Sequence, residues 1–569
     1  MRKKLSSLAV SAALVCGGGP VLADVDMGAY LAGRQAEAAN DFAAAARFFS
    51  KGLMADPRNV ALLDSAQRAY VGQGDFARAL PVAQDLIATG AGDSVSQLIQ
   101  LTHLFATENF DGALAMLDTG QQVGPLVDHI ARGWAQMGRG DLAGAMAAFD
   151  TAIAADGMML YGLTHKVYAL ASVGDFETAE QLFANAEGGM LYSRQSAIAH
   201  VLILSQLGRN DIGLRLIGDV FGTQLDPALR LLRDALIAGE AVAYDAVRTP
   251  AQGMGDLLHV IAGLIEDDAL PDFTLLYTRA ANHLWPENTT ALLMTARLLE
   301  EMQQYDLASA AYSQVAPDDP SFYAAELGRA EVLRAAGRNE AAVEALEGLT
   351  RLFPDLPEVH AAKGDTLREA ERFEEAERAY TQALDRYDEA DRTKWFVYYT
   401  RAITRHQLDD WPAAEADFRA ALALRPDQPQ VLNYLGYSLV ERGEKLDEAL
   451  TMIETAAAAR PDSGAIVDSL GWVYFQLGRY ADAVIELERA ASLEPVDPTI
   501  NDHLGDAYWA VGREIEARFQ WQRALSFGPA EGDAKRIRAK LDRGLDAVLA
   551  EEGTQLISVA PGDASGDDS

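Results

Sequence analysis

The chain has 569 residues with 48 basic against 84 acidic side chains, a formal net charge of −36. That balance argues against a nucleic-acid partner, whose affinity rests on lysine and arginine neutralising phosphates, and against the anionic face of a membrane for the same reason. A single cysteine, Cys16, leaves no internal disulfide framework.

Arg2-Lys3-Lys4, the apolar run Leu5 to Val15 and Val21-Leu22-Ala23 have the order of a bacterial-type secretory signal, predicting cleavage after Ala23 and a periplasmic protein beginning at Asp24. Cys16 falls inside that signal. Acylation there would anchor the chain, but Val15 stands where a small residue usually precedes an acylated cysteine. No later stretch reaches the roughly 18 consecutive apolar residues of a membrane-spanning helix.

From residue 24 onward a 34-residue period organises the sequence. Phe42, Phe76 and Phe110 keep it, as do Ala45, Ala79 and Ala113, then Gly140, Gly174 and Gly208, then Ala308, Ala342 and Ala376. The markers are densest near the C-terminus, where Leu470-Gly471, Tyr474, Gly478, Ala483, Ala490 and Pro495 recur as Leu504-Gly505, Tyr508, Gly512, Ala517, Ala524 and Pro529. Each has a packing reason. Gly436, Gly471 and Gly505 sit midway along a first helix, where a missing side chain lets the second helix cross closely at Ala483 and Ala517. Gly478 and Gly512 suit the left-handed conformation that ends a helix. Pro495 and Pro529 stop the second helix because proline lacks the N–H needed to continue it.

This period and marker set resemble the tetratricopeptide repeat, a helix-turn-helix unit that buries its apolar face only by stacking on neighbours. The resemblance implies an all-α fold, a superhelical solenoid of about thirteen helix-turn-helix repeats closed by a capping helix. Residues 24–218 are read as an N-terminal array and 289–529 as a C-terminal array. Between them, 219–288 is a degenerate helical region in which Pro227, Pro250, Gly253 and Gly255 interrupt the pattern. Ile537, Leu541 and Leu545 at i, i+4 and i+8 predict one capping helix over 530–550. Its basic cluster, Lys535 to Arg543, is expected to face solvent, and residues 551–569 form an acidic tail expected to be disordered.

Nine histidines are scattered without an HExxH pair, and there is no Gly-rich phosphate loop or GxSxG elbow. No catalytic, metal-binding or cofactor-binding residues are therefore expected, and the chain is read as a non-enzyme. In tetratricopeptide arrays the first helix of each unit lines the ligand groove. On that ruler the groove residues are Asn433, Tyr437, Asp468, Trp472, Phe475, Asp502, Asp506 and Trp509. Aromatics interleaved with carboxylates suit a peptide that offers apolar anchors and basic or amide groups. The wrong sign of Asp468 and Asp502 argues against a clamp for a peptide's terminal carboxylate.

The block from Pro429-Gln430-Val431-Leu432-Asn433-Tyr434-Leu435-Gly436 to Arg518-Phe519-Gln520-Trp521 resembles the C-terminal repeats of long Gram-negative cell-envelope tetratricopeptide proteins. Some of these are adaptors of periplasmic carboxyl-terminal processing proteases. The resemblance implies a periplasmic scaffold that binds protein partners, with such a protease and its substrates among them. The alternative is a structural component of an envelope assembly or export complex.

Overall fold

The computed structural model describes residues 27–120, 122–186, 192–222 and 225–554. The expected signal peptide, Cys16 and residues 555–569 of the expected acidic tail lie outside them. The described residues form 31 α-helices and one short 3-10 turn, with no strand among them. No helix is long and apolar enough to cross a membrane among these residues. Contacts divide the chain into two compact units, Met1–Ala345 and Leu346–Ser569, so the division falls inside the helix Asn339–Leu352.

In each unit the helices stack as sequential hairpins, the arrangement expected of tetratricopeptide repeats. The first five second helices of the N-terminal unit start at a carboxylate or amide cap. Asp41, Asp75 and Asn109, spaced by the 34-residue period, each accept a hydrogen bond from the backbone N–H three residues on, at 2.9–3.0 Å. Such a cap satisfies one of the N–H groups that the first helical turn leaves unpaired. The period's alanines, Ala45, Ala79 and Ala113, are buried at 1% exposure or less.

The 219–288 region departs from this stacking. After the helix Pro227–Ile237 the chain runs without helix through 240–249, tied to the helix Arg194–Gln206 by hydrogen bonds from Gln206 Nε2 to the Val242 carbonyl (2.6 Å) and from Gln195 Nε2 to the Ala246 carbonyl (2.9 Å). It then forms a hairpin, Pro250–Ile265 and Pro271–Leu284, that lies across earlier first helices: Val60–Gln73, Ser94–Ala106, Pro125–Gly138 and Met159–Ser172. Arg279 Nε donates to the Gly72 carbonyl at 3.1 Å, across 207 positions of sequence. Phe76 stacks on His283 with ring centroids 4.5 Å apart. Gly253, which breaks the helical pattern in the sequence, permits this contact, and Gly255 lets the two helices of the hairpin close on each other. A Cβ on Gly253 would stand 2.1 Å from the ring of the fully buried Trp134, and one on Gly255 would stand 3.0 Å from Trp285 Cβ.

The C-terminal unit follows the sequence reading closely. A Cβ on Gly436, Gly471 or Gly505 would meet Ile453, Leu487 or Trp521 within 2.8 Å, and Ala483 and Ala517 across the crossings are fully buried. Gly478 and Gly512 end their helices at φ 72° and 80°. Asp410 caps one second helix here in the same way, accepting from the Ala413 N–H at 3.3 Å, but in the last two repeats Arg479 and Arg513 occupy the position and bind Asp482 and Glu516 three residues on, at 2.8 and 3.1 Å. The capping segment corrects the expectation of one helix over 530–550. It is two helices, Glu531–Arg543 and Leu545–Glu551, broken at Gly544 with φ 84°.

Candidate functional site

Three consecutive first helices of the C-terminal unit, Trp395–Gln407, Pro429–Glu441 and Gly464–Gln476, enclose a cavity of about 360 Å³. Asn433, Tyr437 and Glu441 follow one another at i, i+4 and i+8, so they line one helix face. Asp468 and Ser469 face them from the next first helix, and His406 closes the wall from the preceding one. The glycines and alanines of the crossings hold the second helices close behind, which fixes the spacing of these first helices.

The cavity presents the acceptors Asn433, Glu441 and Asp468 beside one cation, Arg442, whose Nε donates to Glu444 at 3.1 Å. Asn433 Oδ1 is buried and has no hydrogen-bond partner among the described residues. Burial, reinforced by Glu441 and Asp468, raises the Tyr437 phenol above its ordinary pKa, so it stays protonated. Asp468, 6% exposed, is held by His503, whose Nδ1 is 3.0 Å from both carboxylate oxygens. Burial opposes charge on His503, yet Asp468 together with Asp502 and Asp506 raises its pKa. A segment offering backbone or side-chain N–H donors matches this lining.

The structure distributes the eight sequence-derived residues among different surroundings. Asn433, Tyr437 and Asp468 meet at the cavity. Trp472 and Phe475 are 8% and 7% exposed; Trp472 stacks on His503 at 4.0 Å between centroids and on Phe475 at 4.9 Å, so both rings pack between repeats. Asp502 and Asp506 accept from Lys540 Nζ at 2.7–2.9 Å, and Asp506 also accepts from Trp521 Nε1 at 2.8 Å. Burial and neighbouring Asp506 push the Asp502 carboxyl up, while Lys540 pulls it down. Trp509 donates its indole N–H to Asp546 at 3.0 Å.

Lys540 corrects the expectation of a solvated basic cluster. It is fully buried, and the chain itself supplies the cation that the carboxylates of the last repeat were expected to take from a partner. His406, Glu441 and Ser469 were not on the sequence ruler. The signal for Glu441 was its place one further turn along the Asn433–Tyr437 face.

The tetratricopeptide repeat family model matches residues 293–357, 399–464, 438–498 and 469–534, and the chain carries tetratricopeptide repeats in these segments. TPR repeat-containing protein PA4667 of Pseudomonas aeruginosa is 32% identical over 188 residues, covering 33% of this chain and 31% of that protein. Tetratricopeptide repeat protein 13 of Homo sapiens is 27% identical over 193 residues, covering 33% of this chain and 22% of that protein. The chain thus spans less than a third of the length of either relative. Among solved structures, a chain of the APC/C hetero-tetramer Cut9-Hcn1 aligns with a TM-score of 0.39 and 16% identity over 92% of this chain and 97% of that one. Yeast Tom70 aligns with a TM-score of 0.34 and 12% identity over 93% and 99%. Proteins built of these repeats generally mediate protein–protein interaction.

Proposed function

We propose that the protein is a non-catalytic periplasmic scaffold that grips an extended segment of a partner protein in the cavity between its C-terminal first helices, with a processing protease and its substrates among the partners. The observation that carries this reading is the convergence of Asn433, Tyr437 and Asp468 from two first helices on one cavity. An extended peptide exposes backbone N–H groups that can satisfy the unpaired Asn433 Oδ1, and a side chain about the size of an arginine or tyrosine fits the space. The export reading rests on Arg2-Lys3-Lys4, Leu5 to Val15 and Val21-Leu22-Ala23. The protease partnership rests on the resemblance of the block beginning at Pro429.

The test is affinity capture from the cell envelope with the intact chain, its Asn433→Ala and its Tyr437→Ala variants, resolved by mass spectrometry. A protease captured with substrate proteins, and lost with both variants, supports the adaptor. A stoichiometric multi-subunit complex that both variants retain supports the alternative, a structural part of an envelope machine.

A further inference from the structure

A second cavity, of about 230 Å³, lies in the N-terminal unit beside the crossing hairpin, away from the groove described above. Asp256 and His259, one turn apart on Pro250–Ile265, line it. Asp256 is only 2% exposed, and its Oδ1 has no hydrogen-bond partner among the described residues; His259 Nδ1 is buried and equally unpartnered. A buried carboxylate without a counter-charge is unfavourable. Burial pushes the Asp256 carboxyl up to about 7. The nearest candidate cation, Arg194 on the cavity wall, is engaged elsewhere, its Nη1 2.6 Å from Asp226 Oδ2. Val260 and Leu264 add an apolar wall. Among the described residues no group of three His, Cys, Asp or Glu side chains gathers as a metal site would require.

We propose that this cavity binds a small primary amine, its ammonium pairing with the Asp256 carboxylate and its short alkyl chain lying against Val260 and Leu264. An ammonium supplies the counter-charge that the buried carboxylate lacks. The volume holds a molecule of a few heavy atoms.

The test is calorimetric titration of the intact chain with n-butylammonium chloride, with n-butanol as the uncharged analogue of the same length. Saturable one-site binding of the ammonium and none of the alcohol is expected. Asp256→Asn keeps the shape and removes the charge, and it should weaken binding by about ten-fold or more. Gly263→Leu is the second variant, because Gly263 lines the cavity and a Cβ there meets no atom within 4 Å, so the change narrows the site without crowding the core. It should abolish the titration even where Asp256→Asn fails to fold. No saturable binding by the unmodified chain, equal binding of n-butanol, or binding untouched by Gly263→Leu would each overturn the proposal. Tighter binding of a short lysine-containing peptide than of the free amine would overturn the assignment to a small molecule.

Discussion

The two units use the same hairpin and dispose of their first-helix faces in opposite ways. In the N-terminal unit the hairpin of Pro250–Ile265 and Pro271–Leu284 covers the first helices between Val60 and Ser172, and Trp134, Leu257, Leu258 and Ala280 form one buried core. In the C-terminal unit the corresponding face keeps an open cavity at Asn433 and Asp468, and only its last repeat is filled, by Lys540. Repeat identity therefore does not decide whether a groove is available. What decides it is whether the chain sends one of its own segments back across that face, which is why the proposed partner groove lies in the C-terminal unit.

The largest expected effect tests the in-chain filling of the last repeat. Lys540→Ala would leave the buried Asp502 and Asp506 with only the more distant Arg536, at 3.6–4.0 Å, as counter-charge and should cost about 3–5 kcal/mol, read as a lower denaturation midpoint. Combining it with Asp502→Asn and Asp506→Asn should recover most of the loss, because the charges are gone and an amide still accepts from Trp521. No recovery in the triple variant would mean that Lys540 contributes by packing and not by charge.

The N-terminal counterpart is Trp134→Ala, which empties the seat of Gly253 and should also cost about 3–5 kcal/mol. Limited proteolysis should then cut the non-helical segment 240–249 faster, since release of the hairpin exposes it. A destabilised variant with unchanged cleavage would separate core packing from hairpin docking. The same indole gives its N–H to His165 Nδ1 at 3.2 Å, and burial lowers the His165 pKa to about 3. The unfolded chain binds that proton and the folded chain does not, so this contribution is lost as pH falls from about 6.5 toward 3.

A smaller effect separates groove residues from packing residues within the C-terminal unit. Tyr437→Ala should weaken partner capture by about 2 kcal/mol, the scale of an interface aromatic. Asn433→Ala should weaken it with little change in melting, because the folded chain makes no hydrogen bond to Oδ1. Trp472→Ala should lower the melting temperature first, as expected of a ring stacked between His503 and Phe475 in a closed core. Normal melting of Trp472→Ala with lost capture would move the tryptophan back into the groove.

The smallest effect concerns pH and runs opposite to that of His165. His503 has its pKa raised in the fold, so its pairing with Asp468 stabilises the C-terminal unit below the ordinary value of 6.5 and is lost as pH rises through the raised value. Urea midpoints measured across neutral pH should fall with rising pH in the intact chain, and His503→Gln should flatten that slope. A slope unchanged by the substitution would place the titration on another group.

Most of the C-terminal fold was legible because its signals are local and repeated. Glycine at a crossing, alanine opposite it and glycine at a left-handed turn each answer to neighbours within one 34-residue unit, so Gly471, Ala483 and Gly478 announce their roles without reference to distant chain. The candidate site was legible in part: the ruler placed Asn433, Tyr437 and Asp468 on the first helices. It could not tell an open groove position from one covered by a later segment, and so it grouped Asp502 and Asp506 with them. The capping helix was drawn through Gly544 because the spacing of Ile537, Leu541 and Leu545 continues across it, while the positive φ that breaks the helix leaves no periodic trace.

The sequence by itself determined the helical hairpin, its period and the residues at its crossings, because these depend on backbone conformation and on contacts within one unit or its immediate neighbour. Tertiary structure alone decided that Gly253 rests on Trp134, that Arg279 reaches the Gly72 carbonyl, and that Lys540 enters the core. Those contacts join residues tens to hundreds of positions apart, where no short-range pattern records which surface will be covered. Burial then fixed the chemistry: a lysine in a basic cluster became an internal counter-ion, while Asp256, in a segment that read as degenerate, became a buried acid without one.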